Sequence, residues 1–147
     1  VVLHAGLVAQ RYERRWRGAL IRGASGAGKS TLALRALAAT FALVADDRTV
    51  VWSSGGAVFG KAPAPLAGLI EVRGVGIVDA AQVLPMAPVA LLVDLIAGPA
   101  MAAVERMPEP ETVILCGVAL PRLRLAVDDP HAILRLSAAL AASQHRL

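Results

Sequence analysis

Short apolar runs alternate with brief charged or glycine-rich breaks along most of this chain. Residues 1–10, VVLHAGLVAQ, are β-branched and apolar with polar interruptions and predict a strand. RYERRWRG (11–18) reads as a charged turn, and ALIRG then carries a second strand straight into a glycine-rich stretch. STLALRALAAT (30–40) has helix-forming composition with Arg35 as its one charge, which predicts a helix packed on a sheet. FALVADD and RTVVWSS predict two strands, and GG followed by AVFGK predicts a hairpin closed by glycines. PVALLVDLI and ETVILCGVALPRLRLAV supply further strands, and from about Pro130 HAILRLSAALAASQ predicts a closing helix. Strands therefore outnumber helices, and KAPAPLAG (61–68) reads as a surface loop, not as a linker between domains.

A length of 147 residues fits one domain, so any sizeable partner must dock from outside. Hydrophobic residues make up 56% and charged ones 18%, a composition that argues against disorder. The apolar run APVALLVDLIAGPAMAAV (87–104) raises a membrane question, which Asp94 and the Pro and Gly breakers answer against a spanning helix; a buried strand and a turn are expected. No cationic, apolar leader is seen at the start, so a cytoplasmic location is expected. The single cysteine, Cys116, excludes an internal disulfide framework and, set in TVILCGV, is expected to be a buried thiol. A net charge of +4, almost all arginine, suits an acidic ligand such as a nucleotide. The arginines at 11, 14, 15, 17 and 22 also suggest nucleic acid, but aromatic residues at 3% are too few for a stacking platform.

GASGAGKS (23–30) fits the pattern G-x-x-x-x-G-K-S/T without mismatch, with a predicted strand before it and a predicted helix after it. Glycines at 23, 26 and 28 free the backbone to turn its N–H groups toward phosphate oxygens, and the following helix adds the positive end of its dipole. Residues Gly23, Ala24, Ser25, Gly26, Ala27, Gly28, Lys29, Ser30 and Thr31 are thus the expected nucleotide or phosphate site. Lys29 would reach the β- and γ-phosphates, and the Ser30 hydroxyl would ligate magnesium. Behind this loop come Asp46 and Asp47. Adjacent residues on a regular strand point to opposite sides, so only one can face the nucleotide unless the chain bends. One reading makes one carboxylate a metal partner and the other a general base; the other leaves Asp47 and Arg48 as hairpin-edge charges. Spacing alone leaves both open.

LIEVRGVGIVD (69–79) places one acid, two glycines and an arginine in an apolar run, and Gly74 and Gly76 suggest close approach of backbone to a ligand or another segment. GASGAGKS, LVADDR and LIEVRGVGIVD, in this order, resemble the catalytic domain of the HPr kinase/phosphorylase family over roughly residues 1–106. The resemblance implies an α/β fold with the P-loop core of the HPr kinase and phosphoenolpyruvate carboxykinase type: strand-rich mixed sheets, a helix after the loop and a C-terminal helix. It implies ATP- and magnesium-dependent phosphorylation of a serine on the phosphocarrier protein HPr or a paralogue. By the same resemblance Lys29 and Asp47 are catalytic, with Asp47 as base, Ser30 and Glu71 bind magnesium, and Asp46 is at most a metal or structural partner. His4 and Arg106 resemble a histidine and an arginine of the same site. The family's N-terminal domain and its Pro-Val-x-Pro-Gly-Arg motif are not matched, the nearest stretch being Pro121-Arg122-Leu123-Arg124. The chain therefore resembles short proteobacterial forms, with kinase activity expected and at most weak reverse phosphorylase activity. Relatives' assemblies make a homo-oligomer a further partner to consider. The alternative is an ATP-sensing regulatory P-loop module that transfers nothing.

Overall fold

Residues 1–24, 26–97 and 109–143 are described by the structure, a computed structural model. The chain opens with β1 (Val2–Leu3), then β2 (Ala5–Tyr12) and β3 (Arg15–Arg22), which pair antiparallel from Ala5↔Arg22 to Tyr12↔Arg15. The turn between them is only Glu13–Arg14, both at positive φ (48° and 69°), the backbone that matches strand twist in a two-residue hairpin. The expected turn over 11–18 is thus far shorter, because Arg17 is held inside the strand. Its guanidinium lies 4.9 Å from the Tyr12 ring and donates to the carbonyls of Leu140 and Ala141 (2.9 and 3.0 Å).

After the glycine-rich loop comes α1 (Lys29–Leu37), then β4 (Ala42–Ala45), β5 (Thr49–Ser54) and β6 (Ala57–Lys61). Gly55 and Gly56, at φ 58° and 81°, close the β5–β6 hairpin as the sequence predicts. Residues 69–79 form a separate hairpin, β7 (Leu69–Val72) and β8 (Gly76–Asp79). The last strands are β9 (Ala87–Ile96), β10 (Glu111–Leu115) and β11 (Val118–Ala126), followed by α2 (Ala132–Ser143). Cys116 is only partly buried, not fully as expected: with Gly117 it makes the positive-φ turn between β10 and β11 (φ 50° and 78°), and it packs against the ribbon-side core. No helix among the described residues is long and apolar enough to cross a membrane.

Among the described residues nine strands form one mixed sheet. β9 runs parallel to β3 and β11, and its first residues pair antiparallel with β6, so one strand joins the main sheet to the β1–β5–β6 ribbon. Alternation along the strands divides the core in two. Val8, Ala19, Ile21, Leu91, Val93 and Leu95 pack with α1 and α2 through Leu32, Ala36, Leu136 and Leu140. Leu7, Leu20, Val89 and Leu92 face the ribbon through Val51 and Val58. Two bulges set the phase. Gly18 pairs with Val89 but Ala19 with Leu91, so Ala90 is the extra residue; Leu7 pairs with Ala45 but Val8 with Leu43, so Val44 is another. Each shifts which side chains face the helices from that point on.

On the ribbon side the alternation of Leu20, Leu92 and Leu120 continues into Arg22, Asp94 and Arg122, which form an ion-pair ladder. Arg22 clasps Asp94 with Nε and Nη2 (2.9 and 3.0 Å), and Arg122 Nε adds a 2.6 Å bond. Burial alone would raise the Asp94 carboxyl, but hydrogen bonds and charge from Arg22 and Arg122 outweigh it and hold the group below the usual carboxylate value.

Candidate active site

The glycine loop leaves β3 at Arg22 and ends where α1 begins at Lys29. Gly28 caps the helix in the left-handed region (φ 101°) without a side-chain cap, so among the described residues no side chain takes the first N–H groups of α1. Ala27 N–H donates to Ala24 O (2.9 Å) inside the loop. Lys29 is only 7% exposed, and its Nζ donates to the carbonyls of Gly23 and Ala24 (2.9 and 3.3 Å). The ammonium is thus stored against the loop it would serve.

Asp46 joins two elements. Its Oδ1 accepts from Ser30 Oγ (2.8 Å) on α1, and its Oδ2 accepts from the backbone N–H of Glu71 (2.9 Å) on β7. The bulge at Val44 makes this contact possible: Val44 and Ala45 both face the ribbon core, so the next residue, Asp46, emerges on the helix side. Asp47 then reverses the chain. It has φ 66°, and Arg48 N–H donates back to Asp46 O (2.7 Å), a tight three-residue turn. This bend brings both carboxylates to one place, the case that the sequence left open. Asp47 Oδ1 lies 2.5 Å from His4 Nε2, with the two side chains about half exposed (51% and 49%).

A cleft of about 280 Å³ is lined by His4, Gly26, Gly28, Lys29, Ser30, Thr31, Leu34, Asp47, Glu71, Val72 and Arg73. The structure therefore brings together His4, Lys29, Ser30, Asp47 and Glu71, with Asp46 just behind them on Ser30. Gly23, Ala24 and Ala27 complete the loop, and Thr31 stands exposed on α1. Ser25 and Arg106 lie outside the described residues. Sequence reasoning did not find Leu34 as a cleft wall. Leu34 left one signal, a leucine whose helical phase relative to Leu32 and Ala36 turns it outward, 39% exposed.

The structure of the HPr(Ser) kinase/phosphatase from Coxiella burnetii superposes with a TM-score of 0.79 at 22% identity, covering 99% of this chain and 97% of that one. The fold class is therefore that of the HPr kinases, which explains the surplus of strands. The family described as HPr Serine kinase C-terminal domain matches residues 14–147, beyond the 1–106 read from the motifs, and the chain belongs to that family. It is 35% identical to the HPr kinase/phosphorylase of Lactobacillus acidophilus over 118 residues, 75% of this chain and 37% of that protein. It is 42% identical to that of Clostridium botulinum over 65 residues, 44% of this chain and 21% of that protein. The chain thus spans less than half the length of these curated relatives.

Proposed function

We propose that this chain is the catalytic domain of a cytoplasmic protein serine kinase, dependent on ATP and magnesium, that phosphorylates HPr or a paralogous phosphocarrier. The observation that carries this reading is convergence: a glycine loop at an uncapped helix start, a sequestered lysine, a hydroxyl and three carboxylates meet around one cleft. In this reading the loop N–H groups and the start of α1 receive the phosphates. Lys29 exchanges the Gly23 and Ala24 carbonyls for phosphate oxygens.

Ser30, Asp46 and Glu71 offer hard oxygen donors, which suit magnesium better than a soft metal. Among the described residues no three His, Cys, Asp or Glu groups cluster closely enough to hold a metal alone, and magnesium is commonly held by one or two carboxylates with phosphates and water. When bound, magnesium would offset the charge that develops on the phosphate oxygens. Asp47 is the base: it takes the serine proton as the serine oxygen bonds to the γ-phosphorus and the bond to the β–γ bridging oxygen breaks, releasing ADP. His4 steadies the Asp47 carboxylate at the cleft mouth. Arg106 is assigned a charge-stabilising role, and reverse phosphorylase activity is weak.

The test is incubation with ATP, magnesium and candidate phosphocarriers, followed by location of phosphoserine by mass spectrometry. Lys29→Ala should abolish transfer and weaken ATP binding while the protein still melts cooperatively. A wild-type chain that binds ATP but modifies no phosphocarrier would instead be a nucleotide sensor.

A further inference from the structure

We propose that Arg35 is a positioning residue for the glycine loop, acting through the segment that leaves β11; this rests on the reading of that loop as a nucleotide site. Arg35 sits near the end of α1, where its charge would suit the local helix carbonyls. Its guanidinium reaches away from the helix instead. Nη1 donates to Val127 O (2.6 Å) and Nη2 to Asp129 O (3.2 Å), two backbone carbonyls of the connection between β11 and α2. A planar fork is suited to grip two acceptors at once, which an ammonium cannot do.

The gripped segment lies directly behind the loop. A Cβ placed on Gly28 would fall 2.9, 3.1 and 3.2 Å from the Cγ2, Cγ1 and Cβ atoms of Val127. The backbone at Gly28 therefore rests on the Val127 side chain, and Gly28 is also the residue whose positive φ turns the loop into α1. Asp129 is fixed in turn. Its N–H donates to Ala126 O (3.2 Å), its Oδ1 accepts from the N–H of His131 (2.9 Å), and its Oδ2 pairs with Arg135 (2.7 Å). Thus β11, the start of α2 and Arg35 together hold Val127 in place. The valine then limits how far the last residue of the loop can retreat. The direction of the N–H groups that follow Gly28 depends on this stop, because a cradle works only if its donors point at one spot before the ligand arrives.

Arg35→Met keeps the apolar stem of the side chain and removes the fork, freeing the two carbonyls and letting Val127 shift. Magnesium-ATP affinity, measured by titration calorimetry, should fall about 10-fold or more, the scale typical when a supporting contact behind a site is lost. Arg35→Lys, able to satisfy one carbonyl, should recover part of the loss. Val127→Ala removes the stop itself and should weaken binding similarly, and the double variant should be no worse than the single ones, since both act through one contact. Hydrogen exchange of the amides at residues 26–30 in the nucleotide-free protein should quicken in each. If Arg35→Met and Val127→Ala keep wild-type affinity and wild-type exchange, or if their effects simply add, Arg35 does not position the loop. Lys29→Ala separates this from failure of the nucleotide reading: if it binds magnesium-ATP as the wild type does, that reading fails, while the exchange at 26–30 still decides on Arg35.

Discussion

Asp47 can be tested with a series in which chemistry and backbone strain move separately. The residue sits at φ 66°, with the carbonyl of Asp46 accepting from the N–H of Arg48, and only glycine, asparagine and aspartate enter this region at small cost. Its contact with His4 is about half exposed, so it contributes at most about 1 kcal/mol to stability. Asp47→Asn therefore keeps the turn and the fold, and removes only the proton acceptor. Transfer to the phosphocarrier should fall by about 10²-fold or more, with magnesium-ATP affinity nearly unchanged. Asp47→Gly should lose the same activity without loss of stability. Asp47→Ala should lose it too and add about 1 kcal/mol of backbone strain, a drop of roughly 2–4 °C in melting temperature for a domain of this size. Asp46→Asn is the counterpart: Asp46 accepts from both Ser30 and the Glu71 N–H, and an amide whose oxygen stays on the Glu71 N–H turns its NH2 to Ser30, which must then accept instead of donate, while the negative charge is lost. That variant should need more magnesium and be partly rescued by it. The assays are ATP-dependent phosphoserine formation, calorimetric ATP binding and thermal melting. Normal transfer by Asp47→Asn, or a defect that vanishes at high magnesium, would refute the assignment of base to Asp47 and metal partner to Asp46.

Two further predictions concern the frame that carries the site. Gly18→Ala would set a Cβ 2.6 Å from Pro88 O and 2.9 Å from Leu7 Cδ1, and backbone cannot move aside cheaply; a loss of about 1–3 kcal/mol is expected in urea denaturation, and a change within 0.5 kcal/mol would contradict it. For Asp94, whose folded pKa is depressed, the stabilisation is present above the unfolded value of about 3.9 and is lost as pH falls through the folded one; Asp94→Asn should cost about 1–3 kcal/mol at pH 7 and flatten the acid limb of stability below about pH 4. An unchanged acid limb in that variant would remove Asp94 from the pH response.

The loop, its lysine and serine, and the helix behind them were legible because their spacing is local: Gly23 to Ser30 is one uninterrupted stretch. The strand-rich architecture could be anticipated for a similar reason, since each apolar run predicts its own strand. Pairing was less accessible. In 11–18 the arginines look like a turn, yet Arg17 spends its charge on α2 carbonyls more than a hundred residues away. The 69–79 run carries few polar breaks, and only Gly74 and Gly76 betray that it folds back on itself as β7–β8. Cys116 looks buried because its neighbours are apolar, but the following glycine makes it half of a turn. Asp46 was expected as a metal or structural partner, but that it bridges Ser30 and Glu71 was not legible, because these two reach it from opposite directions along the chain.

Val44 has no polar atom and lies buried among apolar neighbours, yet the cleft depends on it. As the uncounted residue of β4, it decides whether the next carboxylate arrives beside Ser30 or on the far surface of the sheet. What this position must supply is length: another apolar residue of similar size can stand there, whereas deleting it would turn Asp46 away from Ser30 without touching a single residue that lines the cleft. Substitution tables would score the site as tolerant, and a one-codon deletion would silence it.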